Sequence, residues 1–247
     1  GSFLVTVDFD GGRLDYAPDW PGIDEIAGTI RFEAAGMHVA ASEASIFGVR
    51  LSDVTADIPD LDARGQQVLS VRGTAHGPTA DFLRFVSESP VGARLDGVTE
   101  TMRASGDGTL ALSLEMPLRA VERTEVEGDF RFAGNRISVL DWLPALEQAG
   151  ARVRFSEDSL HIDGGQARML GEPITLSAAT RDDGRVRFVL EGQSSMRALR
   201  SQYDGPLMEQ LSGTAPWRAR IDAGRGEVSA SIRSTLIGVS SSLPHPL

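Results

Sequence analysis

The chain has 247 residues, a formal net charge of −11, 41% apolar residues and no cysteine. The charge argues against nucleic acid, which demands a basic surface, and against docking flat on an anionic lipid surface. Disulfides and thiolate metal sites are excluded, although the compartment stays open. No run of roughly 18 uncharged apolar residues is present, so nothing in the sequence spans a membrane as a helix. No signal peptide is visible, and Gly1-Ser2 reads as a cloning remnant. Both ends are expected to be cuts through something longer, with any anchor outside.

Taken in chain order, the first element is a strand. Phe3, Val5, Val7 and Phe9 point one way, with Thr6 and Asp8 opposite. Asp10-Gly11-Gly12 reads as a hairpin turn. Ile30-Arg31-Phe32 then shows an arginine flanked by two apolar residues, which puts the guanidinium on one face and both neighbours on the other. Gly77-Pro78-Thr79 opens a helix near 78–88, with Phe82, Leu83, Phe85 and Val86 as its apolar stripe and Ser89-Pro90 as its stop. Gly106-Asp107-Gly108 is a second hairpin signal, followed by Leu110, Leu112, Leu114 and Met116 in strict alternation.

The arginine signature returns as Phe130-Arg131-Phe132, Val153-Arg154-Phe155 and Val186-Arg187-Phe188. A short helical turn is expected at Leu143–Gln148, and Asp182-Asp183-Gly184 reads as a hairpin turn. A second helix, near 195–203, carries Met196, Leu199 and Tyr203 at helical spacing. About 15 to 17 strands result, most joined by short turns, with one dry and one wet face as in antiparallel sheet.

A pattern recurs at a spacing of 123 residues: Arg31-Phe32, His38, Ala44 and Gly48 return as Arg154-Phe155, His161, Ala167 and Gly171. A second echo, Pro90, Val91, Leu95 and Gly97, returns as Pro206, Leu207, Leu211 and Gly213 at a spacing of 116. Two tandem units are therefore expected, 1–122 and 123–247, each with one helix. Chance likeness between two alternating segments is the alternative.

No constellation carries reaction chemistry. His38 and His161 fall at equivalent repeat positions, too far apart to share an ion, and read as polar-face strand residues. Asp8-x-Asp10-Gly11 opens like a calcium loop but lacks its remaining ligands. There is no Gly-x-Ser-x-Gly elbow, phosphate loop or His-Glu-x-x-His stretch. The reading is of a protein that is not an enzyme, with no catalytic residue, metal or cofactor. What remains is the apolar stripe: Val5, Val7, Phe9, Ile30, Phe32, Val71, Leu110, Leu112, Leu114, Phe130, Phe132, Val153, Phe155, Leu176, Phe188 and Leu190. It is either the core of a closed sandwich or the lining of an open trough, and a register slip of one residue inverts the face.

The ordered motifs Trp20-Pro21, Ile58-Pro59-Asp60-Leu61, Ser89-Pro90, Met116-Pro117-Leu118, Leu170-Gly171-Glu172-Pro173, Trp217, Ser234-x-Leu236-x-Gly238 and Leu243-Pro244-x-Pro246-Leu247 run almost the whole chain. Together they resemble the central periplasmic region of YhdP-type proteins, members of the AsmA-like group of Gram-negative bacteria. Val91 and Met116 depart from the expected leucine and isoleucine, both mild apolar swaps.

The resemblance implies an all-β protein with two short helices, an elongated curved antiparallel sheet with a U-shaped apolar groove, in repeating units. It implies one N-terminal inner-membrane anchor in the full-length chain, a periplasmic location, and phospholipid acyl chains as cargo on the way to the outer membrane. Envelope protein partners are possible under the same resemblance, and nucleic acid is not expected. It offers no catalytic residue. The rivals are a closed β-scaffold of an envelope protein and a carbohydrate-active β-protein. The latter is disfavoured by only two tyrosines and three tryptophans.

Overall fold

The computed structural model describes residues 3–63, 65–94, 101–139, 143–203, 205, 209–224 and 227–242. Period-two alternation is realised as strands almost throughout. In order they are β1 (Leu4–Leu14), β2 (Ile23–Glu33), β3 (Gly36–Ile46), β4 (Val49–Ile58) and β5 (Val68–Pro78), followed by helices α1 (Thr79–Ser87) and α2 (Pro90–Arg94). Then come β6 (Arg103–Ser105), β7 (Asp107–Pro117), a 3-10 turn at Val121–Arg123, β8 (Glu125–Ser138), β9 (Leu146–Ser156), β10 (Leu160–Met169), β11 (Glu172–Thr180) and β12 (Val186–Ser195). Helix α3 (Met196–Gln202), β13 (Leu211–Gly224), β14 (Glu227–Ser234) and β15 (Val239–Ser241) complete the described chain.

All strands belong to one antiparallel sheet in the order β1-β2-β3-β4-β5-β7-β8-β9-β10-β11-β12-β13-β14. The short β6 lies alongside the end of β8, and β15 alongside the start of β13. The sheet is open, with β1 and β14 as its edges. Twelve strand spacings of about 4.8 Å make it roughly 58 Å long. Among the described residues, no second sheet covers it. The chain exposes 15631 Å² of surface, against about 10,600 Å² for a compact monomer of its mass.

Bulges bend the strands without disturbing which face is apolar. In β1, Val5, Val7 and Phe9 share a face; beyond Gly11 (φ 66°) that face continues with Gly12 and Leu14. The same one-residue insertion occurs at Glu25, Asp53, Gly134, Gln148 and Gly164, all with positive φ. Each insertion bends its strand and raises its twist. Asp10-Gly11-Gly12 is thus a bulge inside β1 rather than a hairpin turn. Gly106 (φ 97°) is likewise no hairpin, because β6 and β7 both pair with β8, one after the other along it. Asp182-Asp183-Gly184 does turn β11 into β12, with Gly184 N–H donating to the Arg181 carbonyl at 2.8 Å.

The helical turn expected at Leu143–Gln148 is absent. Leu146 to Gln148 open β9, and the bulge at Gln148 (φ 50°) breaks the alternation that imitates a helical period there. The expected helices are α1 and α3; α3 is capped by Ser195, whose Oγ accepts from the Ala198 N–H at 3.2 Å. A third short helix, α2, begins where a stop was expected, since Pro90 suits a first turn as well as it ends the preceding one. Leu95, Gly97, Pro206, Leu207, the Leu243–Leu247 motif and His245 lie outside the described residues.

Among the described residues, the largest fully buried side chain is polar. Asn135, the sole asparagine, is 0% exposed. Its amide oxygen accepts from Thr79 Oγ1 at 2.6 Å, and its nitrogen donates to the carbonyls of Ala133 and Asp107 at 3.1 and 3.2 Å. It ties the start of α1 to β7 and to the bulge of β8. Gly106 has no side chain because a β-carbon there would strike the Asn135 amide.

The other face is laced with ion pairs. Every arginine of the repeated signature finds an acid: Arg31 with Glu33, Arg131 with Asp129, Arg154 with Asp163, Arg187 with Asp222. Asp129 also accepts from Arg152 Nε, at 3.0 and 2.9 Å, so the hydrogen bonds of Arg131 and Arg152 hold its carboxyl well below the usual range. His38 pairs with Asp57, and His161 with Asp163 at 2.8 Å, both on this polar face.

Two predictions follow from these contacts. Asn135→Ala leaves Thr79 and two carbonyls without their partner and should cost about 1–3 kcal/mol in urea denaturation; an unchanged midpoint would refute the clamp. Asp129→Asn should lower the melting temperature at pH 7. A depressed native pKa contributes stability above the unfolded value, about 3.9, and loses it as pH falls below that. The gap between wild type and variant should therefore shrink steadily from pH 4 downward, and a gap independent of pH would disprove the linkage.

Candidate functional site

The register places all sixteen apolar-stripe residues on one face of the sheet. Val7, Ile30, Val39, Ala56, Val71, Leu114 and Val126 stand side by side across seven strands. A second row, from Ala75 through Leu110, Phe130, Val153, Ile162, Ala178, Phe188 and Ile221 to Ala230, crosses nine. The opposite face of the same strands carries Arg31, His38, Asp57 and Ser70 in one row and Asp129, Arg154 and His161 in another.

Sequence reading missed part of this surface. Val39, Ala56, Val126, Ile162 and Ile221 belong to it, and so do small residues such as Gly73 and Gly128. The larger of these were recoverable from the alternation. The glycines were not, because a residue without a side chain gives no signal of the face it occupies.

This face is only partly shielded. Small members such as Ala41, Ala75, Ala178 and Ala219 are buried between larger neighbours. Ile58, Ile162 and Ile174 are buried too, but most of the larger members stay partly open to the space above, most of all at the edges, where Val7 is 48% and Ile232 70% exposed. Polar side chains on the face sit near strand ends: Asn135 in its clamp, and Ser194, which accepts from Trp217 Nε1 at 2.9 Å.

Helix α1 folds over one end of the apolar face. Phe82 packs on Phe130, with ring centroids 4.9 Å apart, and Phe130 adjoins Phe132 at 5.8 Å. Phe85 meets Trp20 of the β1–β2 loop at 5.9 Å, and Tyr16 meets Trp20 at 6.0 Å. Tyr16 stays 43% exposed, and partial desolvation raises its hydroxyl above the ordinary tyrosine value. Arg84 caps the Phe47 ring in the β3–β4 turn at 3.8 Å, a cation–π contact on the outer side of the helix. Thus α1 forms a lip along the strand ends.

The polar face has a broad depression lined by Arg72, Thr74, Ser113, Arg154 and His161 together with Asp53, Glu127 and Asp129. Its mixed charges select no ligand of one sign. Among the described residues, no group of three or more His, Cys, Asp or Glu side chains is placed to hold a metal ion. No helix among them is long and apolar enough to cross a membrane. The surface offers extended apolar contact rather than a set of converging reactive groups.

The description "YhdP protein" belongs to a family whose model matches residues 1–247. The chain is 22% identical over 255 residues to the intermembrane phospholipid transporter YhdP of Escherichia coli (strain K12), an alignment covering 100% of this chain and 20% of that protein. The chain thus spans about one fifth of the length of that relative. No solved structure matches it. With the family match running from the first residue to the last, this chain belongs to the YhdP family.

Proposed function

We propose that this chain is a segment of a phospholipid conduit that spans the periplasm between the inner and outer membranes of a Gram-negative bacterium. The observation that carries the reading is the apolar face, laid across thirteen strands with no second layer over it among the described residues. An exposed apolar surface of this extent is a binding surface by default. The relative named as an intermembrane phospholipid transporter supports lipid as the cargo.

The physical case is one of solvation. Exposing acyl chain to water costs about 0.8 kcal/mol per methylene, on the order of 25 kcal/mol for two ordinary chains. A continuous apolar floor removes much of that cost by giving the methylenes a non-aqueous neighbour along the way. The sixteen stripe residues line this trough, and the headgroup remains at the open side in water. A deep specific pocket would trap the lipid, whereas plain Val, Leu, Ile and Phe rows hold it equally at every step. Nothing in this scheme requires reaction chemistry. An inner-membrane anchor and further trough units belong to the full-length chain.

Two tandem units, 1–122 and 123–247, fit this reading. The strands Ile23–Glu33 and Leu146–Ser156 are offset by 123 residues at both ends. So are the bulges at Gly11 and Gly134 and at Glu25 and Gln148, and the turns at Phe47 and Leu170, each with φ 54°. A closed scaffold module, the rival reading, needs a second layer on the apolar face, and the open single sheet disfavours it.

Leu112→Glu puts a charge in the middle of the trough, where a hydrocarbon chain would have to desolvate it. Photo-crosslinking of phospholipid from a probe at Leu114 or Val71 should fall at least fivefold. Undiminished crosslinking would count against the trough. The unmodified chain should also brighten an apolar dye, which a sealed scaffold would not.

A further inference from the structure

The trough floor has a thin spot at the centre of the sheet. Gly128 of β8 pairs directly with Phe155 of β9. A β-carbon on Gly128 would fall within the Phe155 ring, against Cζ, Cε1 and Cε2. The ring is therefore folded down over the glycine instead of standing up from the sheet. Gly108 is covered in the same way by the ring of Phe130, and Gly192 of β12 has the Trp217 ring 3.2 Å from where its β-carbon would be. A ring lying flat adds only about one van der Waals layer, ~3.5–4 Å, above the backbone. An upright ring occupies the space above that layer.

The same cross-strand pair occurs 123 residues earlier with a different solution. There Phe32 pairs with Val5, and the position opposite the ring carries a side chain. Val5 sits on an edge strand, where the face is open. Gly128 sits between Leu112 of β7 and Phe155 of β9, so a ring raised there has neighbours on both sides. The obstructing atoms at Gly128 are the far end of a side chain, not backbone. A larger residue is accommodated by the ring swinging up, with the sheet intact.

We propose that Gly128 sets the clearance of the trough across the β8–β9 seam: by letting Phe155 lie flat, it keeps open the path of a hydrocarbon chain from β7 to β10. The inference rests on the conduit reading and assigns a control point of it to one glycine and one ring. Gly128 is a positioning residue acting through Phe155, and Gly128→Val should throttle the path by raising that ring.

The test uses the whole chain, as Gly128→Val, Phe155→Ala and the double variant, with Gly128→Ala as a milder step. Vesicles of phosphatidylethanolamine bearing a photoactivatable acyl chain serve as donor, and crosslinks are read at Leu112 and at Leu160, on either side of the seam. Wild type should label both positions. Gly128→Val should lose at least fivefold at one or both, Gly128→Ala less, and the double variant should recover to within twofold of wild type.

Equal labelling of wild type and Gly128→Val, or no recovery in the double variant, overturns the proposal while leaving the conduit reading standing. Absence of labelling in wild type overturns the conduit reading and this inference with it. The ring geometry has its own readout. The Gly128 α-protons should show upfield ring-current shifts in wild type that vanish in Phe155→Ala; their absence would disprove the flat ring whatever the lipid does.

Discussion

The fixed parity of the antiparallel ladder governs this molecule. Once two strands are hydrogen-bonded in register, each side chain faces the same way as its partner, and the assignment passes from strand to strand along the sheet. Val7 hands its face to Ile30, Ile30 to Val39, and so on to Val126 without an interruption. One apolar and one charged surface follow from that alone. The bulges add curvature at no cost to parity, because an inserted residue at Gly11 on one strand is matched by the insertion at Glu25 on the next.

A single sheet with an uncovered apolar face forgoes much of the stabilisation that a closed core supplies. The ladder itself is continuous from edge to edge, and the ion pairs of the polar face are mostly exposed, so each contributes little. Packing is concentrated along one rim, where Ala149, Ala167 and Ile174 form a buried cluster with Phe132, Leu190 and Trp217 against it, and where α1 meets the strand ends. At the helix Asn135 satisfies a hydroxyl and two carbonyls at once, and Phe82 of α1 packs on Phe130, which adjoins Phe132. The helix and its polar clamp act as a rivet at the rim, leaving the middle of the face uncovered.

That division suits the proposed role of the face as a floor for a mobile hydrocarbon. Shape-specific burial is confined to the rim, while the floor is built from interchangeable aliphatic groups and from rings laid over glycines. The charges stay on the far side, where Asp129 is held by two arginines and Asp222 by Arg187, so they leave the apolar face free of charge.

Much of the architecture was written in local sequence. Strand content, the dry and wet faces, the helices at 79–87 and 196–202 and the placement of every repeated arginine follow from alternation and turn chemistry, which are properties of neighbouring residues. What sequence misread were the breaks in that alternation. Asp10-Gly11-Gly12 has the composition of a turn, yet the pairing of β1 with β2 on both sides of it makes it a bulge. Leu143–Gln148 has helical spacing until the ladder with β8 fixes Leu146 onward as strand. Whether the sheet stays open, and which glycine lies under which ring, depended on pairings between residues remote in sequence. Local periodicity cannot encode such pairings, because it fixes the direction of a side chain but not what stands opposite it.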